Sequence, residues 1–241
     1  VPKRILGRLG HVAYGAWSML AFLAVALPVV GLLALLPGLQ RRRRLVRGGA
    51  AAFFALAATR LQVSGRHHLP DSGCIVVANH ASYLDGIVLT AVLPPTFGFV
   101  IKREMTRVPL AHFLLRRIGS EFVERFDVHR SANDARRILR RAQSGASLAF
   151  FPEGTFRREP GLRRFHFGAF VTAARTGLPV VPVVIRGSRA MLPADTRLPR
   201  PGTIEVVIRP AIETPAVDTV RGLLTAARHS ILAELGEPDL T

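Results

Sequence analysis

The first apolar stretch of the chain is also its longest. From Leu9 to Gln40 no acidic, lysine or arginine side chain interrupts the run, which exceeds the ~20 residues needed to cross a bilayer core. Pro28, Gly31 and Pro37 lie within it, and the consecutive arginines Arg41 to Arg44 close it. Ala24-Val25-Ala26 has the form of a signal-peptide cleavage site, but the apolar run continues past it to Leu39, which argues against a cleaved leader. A second apolar stretch, 48–59, is too short to span and suits the interface or the flank of the first helix. One spanning helix and a re-entrant helical hairpin both satisfy this pattern, and the arginines favour a cytoplasmic end at residues 41–47. Residues 1–60 therefore read as a membrane anchor and residues 61–241 as the domain it carries.

Beyond residue 60 the apolar runs shorten and alternate between two periods. Cys74 to Ala78 is continuous, β-branched and too short for a helix, which predicts a strand buried on both faces. Further strands are expected at 61–63, 96–101, 119–123, 147–151, 180–185 and 204–208. Helical spacing predicts helices over 82–93, 108–118, 131–143, 168–176 and 217–235, with Ser82 and Ser131 as N-caps in S-x-x-D boxes. Strands alternating with helices predict an α/β fold: a three-layer sandwich with a mostly parallel sheet, preceded by the N-terminal membrane-anchoring helical segment.

The chemistry-bearing residues cluster where two of these strands end. Asn79 and His80 sit where the first buried strand leaves the sheet, and open α/β sheets place their chemistry there. Asp85 follows His80 by five residues. That spacing does not stack side chains along a helix, but with His80 in the turn the carboxylate can reach back to the imidazole. An Asp on one ring nitrogen fixes the tautomer and frees the other nitrogen as a base. Equally, Asp85 closes the capping box and His80 is an ordinary turn residue; the spacing alone leaves both open. A second strand-like run leads into Phe151-Pro152-Glu153-Gly154-Thr155-Phe156-Arg157, where Gly154 permits a tight turn with exposed backbone donors.

Charge narrows the partners. The formal net charge is +17, and of 33 basic residues only Lys3 and Lys102 are lysine. Such a balance suits phospholipid headgroups, nucleic acid or an acidic carrier protein. Arg136, Arg137, Arg140 and Arg141 form one basic helix face, read as solvated or as a headgroup contact. No nucleic-acid motif is present. Cys74 is the single cysteine, so an intrachain disulfide is excluded. His67 and His68 are adjacent, lack partners at metal-ligand spacing, and read as loop residues, so no metal site is expected.

Asn79-His-Ala-Ser-Tyr-Leu-Asp85 and Phe151-Pro-Glu-Gly-Thr155 resemble the NHxxxxD and FPEGT blocks of the glycerolipid acyltransferases, the family of bacterial 1-acyl-glycerol-3-phosphate acyltransferases. Gly119 to Arg125 resembles that family's G-x-x-F-x-x-R block and Val180 to Ile185 its V-P-V block. The four blocks occur in the family's order over residues 79–185. The resemblance implies an O-acyltransferase of phospholipid biosynthesis that needs no cofactor. Its donor would be acyl-CoA or acyl carrier protein and its acceptor a lysophospholipid, at the cytoplasmic side of the inner membrane. It implies His80 as base and Asp85 as its support. Asn79, Lys102, Arg125, Glu153, Gly154, Thr155 and Arg157 would bind substrate, with backbone amides around Gly154 as oxyanion donors. One departure stands out: the family commonly places arginine directly after FPEGT, whereas Phe156 holds that place here and Arg157 comes one later. A non-catalytic basic membrane-binding protein would explain the charge but not the blocks.

Overall fold

A computed structural model describes residues 2–124, 128–214 and 219–241. Two helices come first, α1 (Pro2–Leu35) and α2 (Leu39–Leu56). They turn at Gly38, whose φ of 82° is the left-handed conformation that favours glycine. The arginine run forms the first turns of α2. Arg43 is buried there, its Nε donating to Ile118 O at 2.9 Å and its Nη1 to Thr96 O at 2.7 Å. The 48–59 stretch is the second half of the same helix.

The remaining elements build one sheet. Strands β1 (Arg60–Ser64), β2 (Ile75–Ala78), β3 (Gly98–Lys102), β4 (Glu121–Val123), β5 (Leu148–Phe150), β6 (Val180–Arg186) and β7 (Thr203–Ile208) are interleaved with α3 (Leu84–Val92), α4 (Pro109–Arg117), α5 (Val128–Gln143), α6 (Gly168–Thr176), α7 (Ser188–Met191) and α8 (Val220–Leu235). Their order is β1-β7-β6-β2-β5-β3-β4. Neighbours run parallel except β6 and β7, which are antiparallel. The mostly parallel sheet with helices on both faces is the expected sandwich.

β2 shows why a continuous apolar run was required. Val76 and Ala78 face one layer, with Phe53 and Phe54 of α2 and Val88 and Leu89 of α3. Ile75 and Val77 face the other, with Phe170 of α6 and Leu223 and Ile231 of α8. All four β2 residues are fully buried, each large one worth about 1.5–3 kcal/mol. Phe53, Phe54 and Ala57 belong to the same cluster as β2, so α2 is part of the domain's core.

α1 presents the opposite arrangement. Its inward stripe is Gly15, Ser18, Ala21, Val29 and Leu33, while Leu9, Val12, Trp17, Leu20, Leu23, Leu27 and Leu32 point outward and are exposed. The stretch Leu9–Leu35 is long and apolar enough to cross a membrane, yet only 17% of its most apolar window is buried against the protein. Tyr14 Oη meets Thr59 Oγ1 at 3.0 Å, Trp17 Nε1 donates to Leu56 O at 2.9 Å, and Arg117 caps the far end on the carbonyls of Leu33, Ala34 and Leu36.

Two expectations about α5 fail. The helix begins at Val128, three residues before the expected start at Ser131. Its basic face is not simply solvated: Arg137 and Arg141 both pair with the Glu121 carboxylate of β4, Arg141 at 2.9 Å. Asp134 is buried and takes Arg103 through both oxygens, at 3.0 and 2.8 Å.

Candidate active site

β6, β2 and β5 are adjacent and parallel, so their carboxyl ends deliver three loops to one edge of the sheet. His80 leaves β2, the Phe151–Gly154 turn leaves β5, and the segment leading into α7 leaves β6. At this edge Asp85 resolves the two readings of its spacing by satisfying both. Its Oδ2 accepts the Ala81 N–H at 2.6 Å and the Ser82 N–H at 2.8 Å, and lies 2.9 Å from His80 Nδ1. Ser82 completes the box by accepting the Leu84 N–H on Oγ at 3.1 Å, and donates that hydroxyl to Leu192 O at 2.8 Å. The regular helix starts at Leu84 with Tyr83 in the N-cap position, one residue later than expected, while Ser82 and Asp85 supply the side-chain bonds of the turn that leads into it.

A carboxylate only accepts, so the contact makes His80 Nδ1 the protonated nitrogen and leaves Nε2 with a lone pair. The ring itself is wedged. It stacks on Phe151 at 4.2 Å between centroids and meets Phe156 at 4.5 Å, while Phe156 in turn meets Tyr83 edge-on at 4.8 Å. Phe156, the residue that departs from the common family form, is therefore the wall of the imidazole's slot.

Glu153 holds the same histidine by its backbone. Its Oε1 accepts the His80 N–H at 2.7 Å and its Oε2 the Arg163 N–H at 2.8 Å. Burial pushes the Glu153 carboxyl up to about 7, against the pull of those two N–H groups and of Arg189, with the Asp85 charge adding to the rise. Its side chain is thus turned into the protein, with each oxygen on a backbone N–H.

Asn79 also differs from expectation. It is buried, its Nδ2 donating to Ile185 O at 2.9 Å and its Oδ1 accepting the Ile185 N–H at 2.7 Å. It ties the end of β2 to β6 and does not face a ligand. Gly154 has φ 71°, and its N–H closes the turn on Phe151 O at 3.0 Å, so that donor is not aimed at an oxyanion. Lys102, Thr155 and Arg157 are exposed, Lys102 at the end of β3 and the other two just after the turn. Arg125 lies outside the described residues. Among those described, no group of three His, Cys, Asp or Glu side chains could hold a metal ion.

Sequence reasoning missed Phe151 and Phe156 as the ring's neighbours and Arg189 as a close charge on Glu153. The aromatic content of the second block was visible; its register against His80 was not.

A family model described as Acyltransferase matches residues 60–186, more than half of the chain. The chain belongs to the acyltransferase family. It is 28% identical over 242 residues to a 1-acyl-sn-glycerol-3-phosphate acyltransferase of Chlamydomonas reinhardtii, covering 97% of this chain and 72% of that one. A chloroplastic 1-acyl-sn-glycerol-3-phosphate acyltransferase of Brassica napus is 31% identical, with 70% of this chain and 49% of that protein aligned. A lyso-ornithine lipid O-acyltransferase of Pseudomonas aeruginosa is 33% identical, with 66% of this chain and 59% of that one covered. The crystal structure of the 1-acyl-sn-glycerophosphate acyltransferase PlsC of Thermotoga maritima superposes with a TM-score of 0.76 over 95% of this chain and 94% of that one. At 21% identity that likeness speaks for the fold.

Proposed function

We propose that this acyltransferase moves a fatty acyl group from a thioester donor to the hydroxyl of a lysophospholipid at a membrane surface. The observation that carries the reading is the Asp85–His80 pair, in which Nδ1 is taken by the carboxylate so that Nε2 is the nitrogen left for a substrate proton. His80 Nε2 accepts the acceptor's hydroxyl proton as the oxygen bonds to the thioester carbonyl carbon. The tetrahedral intermediate collapses with cleavage of the carbon–sulfur bond, and the imidazolium, steadied by Asp85, returns the proton to the leaving thiolate. No acyl-enzyme is needed, because the acceptor is itself the nucleophile.

1-Acyl-sn-glycerol-3-phosphate is the acceptor favoured by the Chlamydomonas and Brassica relatives. Lys102, Arg125 and Arg157 are the candidate phosphate ligands. The Pseudomonas relative supports a second reading, a lyso-ornithine lipid, which carries no phosphate. Glycerol-3-phosphate and other lysophospholipids complete the acceptor set. The donor is acyl-CoA or acyl carrier protein, both anionic and suited to the arginine-rich surface.

For the anchor, α1 supports the hairpin and not the spanning helix. It touches the domain from Tyr14 to Leu36, roughly 33 Å at 1.5 Å per residue. A helix crossing a core of about 30 Å would drag the polar domain in with it. α1 in this reading lies in one leaflet; the proposed side is the cytoplasmic face of the inner membrane, which the arginines Arg41 to Arg44 favour.

The test is purified protein in lipid vesicles with labelled acyl-CoA or acyl carrier protein and a panel of lyso-lipids, the product identified by mass. Phosphatidic acid as the main product supports the first reading and acylated ornithine lipid the second. No transfer to any acceptor from either donor removes the enzymatic reading.

A further inference from the structure

Beyond the two sequence blocks, the segment that follows Phe156 is held by residues far from it in the chain. Residues 157–164 carry four arginines, Arg157, Arg158, Arg163 and Arg164, and only Leu162 among them is a buried apolar residue. Such a loop repels itself and has little core of its own. Arg189 of α7 supplies what it lacks. Its Nη1 donates to Arg157 O at 2.6 Å and to Glu159 O at 2.8 Å. Its Nε and Nη2 make a bidentate pair with Glu237, each at 2.9 Å. Glu237 Oε2 also accepts the Gly161 N–H at 2.7 Å.

The clamp continues on either side. Leu162 N–H donates to Pro238 O at 2.8 Å and its carbonyl accepts the Leu240 N–H at 3.1 Å, a short parallel bridge. Arg228 of α8 takes the carbonyls of Leu162 and Arg163 and the Asp239 carboxylate. The next residue in this line, Arg163, donates its N–H to Glu153, whose other oxygen holds the His80 N–H. An unbroken series of hydrogen bonds thus runs from residues 237–240 to the backbone of the candidate base.

We propose that Arg189 and Glu237 are positioning residues of the acyl transfer, clamping the 157–163 loop so that its arginines face the acceptor and Glu153 keeps His80 in register. A planar guanidinium suits this task because one fork serves the carboxylate while the remaining nitrogen serves two carbonyls; lysine offers no such geometry. The charges that act on Glu153 are Arg189 from α7 and Asp85 from α3, beside the backbone N–H groups of His80 and Arg163. Removing the Arg189 charge therefore favours the protonated Glu153, which cannot accept both N–H groups.

This inference rests on the acyl-transfer reading, and one set of variants separates them. Arg189→Met, Arg189→Lys, Glu237→Gln and Glu237→Asp are assayed with varied acceptor at saturating donor, from pH 5.5 to 8.5, beside their melting temperatures. The clamp requires kcat/KM for the acceptor to fall by about tenfold to a hundredfold, with Arg189→Lys and Glu237→Asp between wild type and the harsher pair. It also requires the acid limb of kcat to move to higher pH in Arg189→Met. In the wild type, exchange of the Gly161, Leu162 and Arg163 amides should be as slow as in the core. Variants that lose stability yet keep the wild-type acceptor KM and acid limb overturn the proposal. So does fast exchange of these amides, which decides the matter even if every variant fails to fold. An inactive wild type overturns the acyl-transfer reading instead.

Discussion

Asp85 Oδ2 sits 2.9 Å from His80 Nδ1 and 2.8 Å from the Ser82 N–H, so one atom serves as both helix cap and imidazole support. His80→Ala should therefore remove acyl transfer, by the ~10²–10⁴-fold that general-base catalysis is worth. The fold should persist, because His80 occupies a turn at the sheet edge. Asp85→Asn should bring a similar fall in turnover while keeping much of the capping, because the amide oxygen still accepts N–H groups. Turnover and thermal melting on the two variants check this; an Asp85→Asn protein that is less stable but fully active would leave Asp85 a cap and nothing more.

Phe156 closes on the His80 ring at 4.5 Å. Phe156→Ala should free the ring and lower kcat by about tenfold while leaving the acceptor KM near its wild-type value, a cost of misplacement. Steady-state kinetics separate the two parameters. A raised KM with intact kcat would instead make Phe156 a substrate contact.

Glu153 links stability to pH with a defined sign. Its folded value, about 7, lies above the ordinary 4.5 because burial disfavours the charge. Between those values the folded protein keeps a proton that the unfolded chain has lost. The contribution is therefore fully present below about 4.5 and is lost as pH rises through 7, with a size of about 3 kcal/mol. Glu153→Gln should flatten this component, so its melting temperature relative to wild type should be higher at pH 8 than at pH 5. Activity should run the other way, because the carboxylate form is the one that accepts both N–H groups. Parallel pH profiles of melting in wild type and variant would contradict the assignment.

The arginines divide into three groups with different expected signatures. Arg157→Lys should raise the KM for a phosphate-bearing acceptor, because a bidentate fork is lost; Arg136→Lys and Arg140→Lys should change little. Arg137→Lys and Arg141→Lys should lower stability by about 1 kcal/mol each, as charged pairs to Glu121 are weakened. Kinetics and melting on all five test the division. Equal, small kinetic effects throughout would assign the charge to the membrane surface alone.

Deleting the anchor tests where it ends. A chain starting at Leu61 would lack Phe53, Phe54 and Ala57 from the core and should aggregate. A chain starting at Leu39 keeps them and should fold, yet lose most of its vesicle affinity. High-salt washing should not release the intact protein, since apolar burial is not screened. Flotation with vesicles measures both, and quantitative release in salt would mean that the attachment is electrostatic only.

β2, α3 and the α/β class were legible because burial on both faces writes a continuous apolar run, and a cap writes a polar pair at fixed spacing. Asp85 was legible for the same local reason. α2 was obscured because Arg41 to Arg44 split its hydropathy, although Arg43 is buried on carbonyls supplied by Thr96 and Ile118. The roles of Asn79 and Glu153 were unreadable: each spends its oxygens on backbone groups such as Ile185 and Arg163, and nothing in the local spacing announces that. Glu237 was the least visible, since its partners Arg189 and Gly161 stand 48 and 76 residues away.

The outward leucines of α1 change what concentration means for this protein. A helix that shows small residues to its neighbour and large apolar ones to the outside suits a domain confined to a lipid sheet. Enzyme and lysolipid then meet in two dimensions, and the rate follows the acceptor's mole fraction in that sheet. Adding inert lipid at constant bulk acceptor would slow the reaction by dilution within the surface, with no change at the active site.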